Sequence, residues 1–179
     1  MSPDARPAAR RLVVMRHAKA VPTAPSDHER DLAPDGRDAA AAAGRWLVDQ
    51  GIVPDLALVS DATRTRRTWA DLAAAAGWDT DGGPRVEHVE ALYAAGPDSA
   101  LDLVREVPDD VRTLVVVAHN PTVASISHLL HDGLGDEDAA LRMAQGHPTG
   151  ALTVLDVPTT WAEVGWATTR LVDFHVPRG

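Results

Sequence analysis

The sequence predicts an α/β fold: a three-layer α/β/α sandwich with a mainly parallel sheet and an antiparallel edge strand. Two observations carry that prediction. Short apolar runs at 12–15, 56–59 and 113–118 have the length of strands and are apolar throughout, as strands covered on both faces are. The segments between them carry apolar residues at helical spacing and close on glycine.

Residues 1–10 are rich in Pro, Ala and Arg without periodicity and read as a loose tail, leaving 11–179 as one domain. The first strand covers 11–15. Three prolines and many charges make 20–34 a loop. From Asp35 to Gln50, apolar residues at 39, 42, 43, 46 and 47 predict a helix ended by Gly51. The second strand is 56–59. A second helix over 61–76 places Trp69, Leu72, Ala73 and Ala76 on one face and stops at Gly77. Residues 78–85 are a turn and 85–89 a third strand, followed by a short helix over 97–106. The most apolar strand, 113–118, is expected at the centre of the sheet. A helix over 121–131 buries Val123, Ile126, Ser127 and Leu130 before Gly133–Gly135 break it. Residues 136–145 form another helix, and 151–157 and 167–174 are closing strands at an antiparallel edge.

Composition narrows the function. The net charge of −9, without a lysine- or arginine-rich run outside the N-terminus, argues against a nucleic-acid binder. The chain has no cysteine, which excludes disulfides, Cys-based zinc sites and thiolate chemistry. Lys19 is the only lysine and follows no glycine-rich loop, so a Walker A motif is absent, as is a Gly-x-Ser-x-Gly elbow. The apolar run after Arg10-Arg11 is too short for a signal peptide or a membrane span. The expected location is cytoplasmic.

Three strand ends carry the chemistry. The first supplies Arg16 and His17. The second runs through Ser60-Asp61-Ala62-Thr63 into Arg64. The central strand supplies His119, with Asn120 as a helix N-cap and Pro121 at the first helical position. In a parallel sheet these ends lie on one side, the edge where ligands bind. Two imidazoles and two guanidiniums would then surround one small anion pocket. An imidazole can attack phosphorus, and a guanidinium can hold phosphate oxygens. Singly, each residue has a structural reading: Arg64 as a solvated helix residue flanked by Arg66 and Arg67, His119 as a hydrogen-bonded histidine beside a cap. Their joint occurrence at three strand-to-loop junctions favours the pocket. His128 and His131, at i, i+3 on a helix, have metal-ligand spacing but no third ligand. No metal or cofactor is expected.

With Leu12–Ala20, Arg30–Gly36, Val59–Thr68, Leu92–Tyr93, Val117–Val123 and Pro148–Leu152 in this order, the chain resembles the histidine phosphatase superfamily (phosphoglycerate mutase-like), and within it the SixA-type phosphohistidine phosphatases. The resemblance implies that His17 accepts the phosphoryl group, that Arg16, Arg64 and His119 hold its oxygens, and that Arg30 lies at the rim. Ser60 and Asn120 are further substrate-binding candidates. His147 reads as a local hydrogen-bonding residue, and Asp27 and Glu29 as loop solvation.

One departure from the superfamily pattern bears on substrate. Mutase-like members place a glutamate after the third strand to protonate the leaving oxygen. Here that position falls on Ala94, with Glu90 ahead of the leucine, and His119 is followed by Asn120 rather than Asp. A leaving group that needs little protonation is therefore expected. The resemblance implies a metal-independent phosphatase acting on protein phosphohistidine, with a histidine phosphotransfer protein as partner. The alternatives are a small-molecule phosphomonoesterase of the same superfamily and a catalytically weak phosphohistidine-binding module.

Overall fold

A computed structural model describes residues 9–178. Most of the expected N-terminal tail, residues 1–8, lies outside the described residues. The remainder needs correction, because the first strand, β1, already starts at Arg10 and spans Arg10–Arg16. Arg10 is held there by its guanidinium, which donates to the Thr159 carbonyl (3.0 Å) and to Asp109 (3.0 Å).

The order continues with α1 (Pro34–Asp49), β2 (Leu56–Ser60), α2 (Thr63–Ala76), β3 (Arg85–Val89), α3 (Ala91–Ala94), α4 (Pro97–Arg105), β4 (Thr113–Ala118), α5 (Thr122–Leu130), α6 (Glu137–Ala144), β5 (Leu152–Val157) and β6 (Arg170–His175). The strands form one sheet in the order β3-β2-β4-β1-β5-β6. β3, β2, β4 and β1 run parallel, while β5 and β6 are antiparallel additions. The central place expected for 113–118 is observed, since β4 sits between β2 and β1.

Alternate residues of the central strands feed two cores. Leu12, Val14, Leu114 and Val116 pack with residues of α3 to α6, including Leu101, Ile126 and Met143. Val13, Met15, Val115 and Val117 pack on the other face with Leu47 of α1 and Trp69 and Leu72 of α2. Both faces are covered, which is why these strands are apolar throughout and show no alternation.

Three details differ from the sequence reading. The buried face of α1 runs through Gly36, Ala40, Ala43, Gly44 and Leu47 rather than 39, 42, 43, 46 and 47. Backbone approach sets this face: a Cβ on Gly36 would lie 2.1 Å from the Lys19 carbonyl oxygen, and one on Gly44 2.1 Å from that of Leu72. The last strand begins at Arg170 rather than 167, because Ala167 takes a left-handed φ of 57° and turns the chain. α5 ends at Leu130, so His131 is already extended (ψ 146°) and does not share a helical face with His128. No helix among the described residues is long and apolar enough to cross a membrane.

Candidate active site

The parallel arrangement of β1, β2 and β4 brings the three predicted strand ends together. The His17 backbone N–H donates to the Ala118 carbonyl (3.0 Å), so His17 leaves β1 beside the residue that precedes His119. The two rings lie 5.3 Å apart between centroids, tilted by 54°, and each residue is only 9% exposed. The segment 148–152 closes this end from the other side. The Gly150 N–H lies within bonding distance of the Arg16 (3.1 Å) and His17 (2.9 Å) carbonyls, and its φ of +82° is one that a side chain would strain.

His17 is fixed by its own backbone. Its Nδ1–H donates to the Ala18 carbonyl at 2.8 Å, and a carbonyl can only accept. The proton therefore sits on Nδ1 and the lone pair on Nε2. Burial first, and then the Arg64 and Arg16 charges, push the imidazolium down to about 4 against the opposing Ala18 hydrogen bond, so the ring is neutral near pH 7. The segment behind it is pinned through Thr68 of α2, whose Oγ1 accepts from the Ala18 N–H (2.9 Å) and donates to the Arg64 carbonyl (2.7 Å).

His119 is oriented by Ser60. The fully buried Ser60 hydroxyl lies 2.8 Å from His119 Nε2 and has no other acceptor among the described residues. The hydroxyl proton therefore goes to Nε2, and the ring proton sits on Nδ1. That Nδ1 is buried and has no protein partner among the described residues. Burial, then Arg64, push this imidazolium down to about 3, so its Nδ1–H is a neutral donor.

The two guanidiniums are held by oxygens at their terminal nitrogens. Arg16 Nη1 donates to the His147 carbonyl (2.8 Å). Arg64, 6% exposed, donates from Nη1 to the Asp27 carbonyl (2.7 Å) and from Nη2 to Asp27 Oδ2 (3.0 Å). In both arginines Nε is buried without a protein partner among the described residues. Two guanidinium Nε–H groups, one imidazole N–H and one imidazole lone pair thus share the C-terminal edge of a parallel sheet. A tetrahedral oxyanion presents the complementary acceptors.

The other expected residues are placed as follows. Arg30 is tied to the Val21 carbonyl (2.8 Å) and Asp27 Oδ1 (3.0 Å), and reaches the site through Asp27. Ser60 contacts His119. Asn120 donates to the His147 carbonyl (3.1 Å) and accepts from the Ala124 N–H (3.3 Å), so both ends of its amide are engaged by the protein. Pro121, not Asn120, occupies the N-cap position, and α5 begins at Thr122. His147 is 5% exposed, with Nε2 on Thr153 Oγ1 (2.9 Å), as a local hydrogen-bonding residue would be.

Two residues were given no role at the site from sequence. Asp27 is bonded to Arg64, Arg30 and, through Oδ2, the Tyr93 hydroxyl (2.6 Å). Tyr93 on α3 sets its ring edge-on to His119 (5.5 Å) and 5.8 Å from the Arg64 guanidinium carbon. Ala94, where a superfamily acid was expected, is exposed at the end of α3. A separate cleft of about 800 Å³ beside α6 and β6, lined by Arg142, Phe174 and His175 among others, contains neither His17 nor His119. Among the described residues no group of three or more His, Asp or Glu is placed to hold a metal.

Fold and site together define an α/β protein with two histidines and two arginines gathered at the ends of its parallel strands. No family model matches the chain. It is 39% identical over 166 residues to an uncharacterized protein of Mycobacterium tuberculosis, covering 92% of this chain and all of the relative. The structure superposes on a provisionally assigned phosphohistidine phosphatase SixA from Nakamurella multipartitia with a TM-score of 0.82 and 34% identity, covering 94% of this chain and 96% of that one. A similarly assigned SixA from Agrobacterium tumefaciens gives a TM-score of 0.76 at 28% identity, covering 94% and 99%. The chain belongs to the histidine phosphatase superfamily and is a phosphatase of it.

Proposed function

We propose that this phosphatase hydrolyses phosphohistidine on proteins by way of a covalent phosphoryl group on His17. The observation that carries the proposal is the His17 tautomer: Nδ1–H is held by the Ala18 carbonyl, which leaves a buried, neutral Nε2 lone pair beside two guanidiniums.

His17 Nε2 attacks phosphorus in line. The bond from phosphorus to the substrate's imidazole nitrogen breaks, and its electron pair leaves with that nitrogen as a neutral imidazole, whose proton is already on the other ring nitrogen. The charge on the equatorial oxygens is met by Arg16, Arg64 and His119 Nδ1–H, which are held in place before the substrate arrives. Water then attacks the phosphoryl group on His17, releasing inorganic phosphate and restoring Nε2. Arg30 acts at the rim through Asp27, and Ser60 and Asn120 support the groups that touch phosphate.

Leaving-group chemistry favours a phosphoramidate. Ala94 offers no proton, and an imidazole needs less protonation on departure than an alkoxide. The names of the two SixA structures point the same way for those proteins. A histidine projecting from a cytoplasmic phosphotransfer protein is the substrate class this reading selects.

The test is kcat/KM for a phosphohistidine protein against sugar, nucleotide and seryl phosphates. The phosphohistidine protein should be preferred. A small phosphomonoester better by tenfold or more, about 1.4 kcal/mol in transition-state binding, overturns the substrate assignment. Arg64→Ala and His119→Ala should each lower the rate on the order of 10²–10³-fold, the effect of losing one preorganised oxyanion donor.

A further inference from the structure

We infer that Asp27 is a positioning residue for the phosphoryl-transfer step: it grips the terminal edge of the Arg64 guanidinium so that the Nε edge is presented to the phosphate. This rests on the reading that Arg64 meets the phosphoryl group.

A guanidinium offers five N–H donors along two usable edges, one carrying both terminal nitrogens and one carrying Nε with a terminal nitrogen. Asp27 takes the first edge with two oxygens of a single residue, its carbonyl at 2.7 Å from Nη1 and its Oδ2 at 3.0 Å from Nη2. The second edge is left with Nε buried and without a protein partner among the described residues. Arg16 is held in the same sense, through Nη1 on the His147 carbonyl with Nε unpartnered. The two arginines are thus anchored at their tips and offer their Nε–H groups.

Asp27 is itself fixed from three sides. Its Oδ1 accepts from Arg30 (3.0 Å), and its Oδ2 accepts from Tyr93 (2.6 Å) as well as from Arg64. Tyr93 above all, and Arg30 next, hold the carboxyl well below the usual carboxylate range, so the group is an anion at any working pH. It is correspondingly unsuited to donate a proton to a leaving group. The loop before α1, whose β-pairing is a single bridge between Ala20 and Leu32, thereby has a definite task. Arg30 reaches the pocket through this carboxylate rather than by touching phosphate.

Misplacement of a catalytic group by about 1 Å costs on the order of 10²-fold, which sets the scale of the expected effect. The experiment uses the full chain with aryl phosphates of graded leaving-group pKa, comparing wild type, Asp27→Ala, Asp27→Asn, Arg64→Ala and the Asp27→Ala/Arg64→Ala double variant. Inorganic phosphate serves as the binding probe. Asp27→Ala should lower kcat/KM by at least tenfold, by the same factor for every leaving group, and should weaken phosphate inhibition. Asp27→Asn, which retains an acceptor oxygen, should lose less than Ala. In the Arg64→Ala background the same Asp27 change should matter less than threefold. A loss under tenfold in the single variant overturns the inference, as does a loss of threefold or more without Arg64. A loss that grows with leaving-group pKa would make Asp27 a proton donor, and tighter phosphate binding would make it a competing anion. Either result also overturns it. If Arg64→Ala is itself close to wild type, the reading of the pocket fails. If Arg64→Ala collapses while Asp27→Ala does not, only the inference fails.

Discussion

Ser60→Ala removes one oxygen from a fully buried residue and leaves the backbone of β2 intact. That oxygen lies 2.8 Å from His119 Nε2 and is its only hydrogen-bond partner among the described residues. Without it, nothing fixes the ring proton on Nδ1, where the pocket needs a donor. A neutral hydrogen bond is worth about 0.5–1.5 kcal/mol net, so the fall in kcat/KM should be about 2- to 10-fold. Nε2 is left buried without a partner, so stability should fall by about 1–3 kcal/mol. His119→Ala removes the donor itself and should cost about 10²–10³-fold. The assays are aryl phosphate turnover, thermal unfolding, and ¹⁵N shifts of the His119 ring, which report which nitrogen carries the proton. Wild type should show Nδ1–H, and Ser60→Ala a mixture of tautomers. An unchanged ring tautomer with unchanged rate would refute the orienting role. A loss as large as that of His119→Ala would mean that Ser60 touches the substrate itself.

The remaining predictions concern pH, metal and the leaving group. His17 and His119 sit at about 4 and about 3 in the folded chain, against 6.5 in the unfolded one. The acid limb of kcat/KM, corrected for substrate ionisation, should therefore lie below pH 5; a limb centred near 6.5 would contradict neutral, buried rings. Because both values are depressed, the unfolded chain binds more protons, and stability should fall as pH drops from about 6.5 towards 4. Chelation with EDTA should leave turnover intact, since Arg16, Arg64 and His119 supply the positive charge and N–H donors; a collapse restored by one metal would reject that. In wild type, the rate should fall steeply as leaving-group pKa rises, and Glu90→Gln should change it little. A flat dependence would indicate an acid that the structure does not identify.

The strands and the gathering of Arg16, His17, Arg64 and His119 at one sheet edge were legible for a simple reason. Strands covered on both faces must be apolar throughout, so β1, β2 and β4 announce themselves, and their parallel pairing puts residues 16–17, 60–64 and 119 on one edge. Asp27 was not legible. It lies in an aperiodic loop, 37 residues from Arg64, and a lone aspartate among charges carries no local signal. α3 is four residues long, too short to show a period, so Tyr93 was noted only through the family pattern. The α1 face was misjudged because two glycines, silent in an apolar count, sit where backbone approaches too closely for a Cβ. The single-turn helix over Trp161–Glu163 was also missed, although Trp161 is fully buried and donates to the Val111 carbonyl (2.8 Å). An isolated tryptophan between strands gives its burial but not its turn.

The central claim is that His17 Nε2 carries the phosphoryl group during turnover, and rapid quenching tests it most directly. Wild-type protein mixed with labelled substrate and quenched within one turnover should hold phosphate that is acid-labile, alkali-stable and mapped to His17. His17→Ala, folded as judged by its melting curve, should hold none and turn over nothing. Appreciable turnover in folded His17→Ala, or labelled phosphate on any other residue of the wild type, would contradict the account.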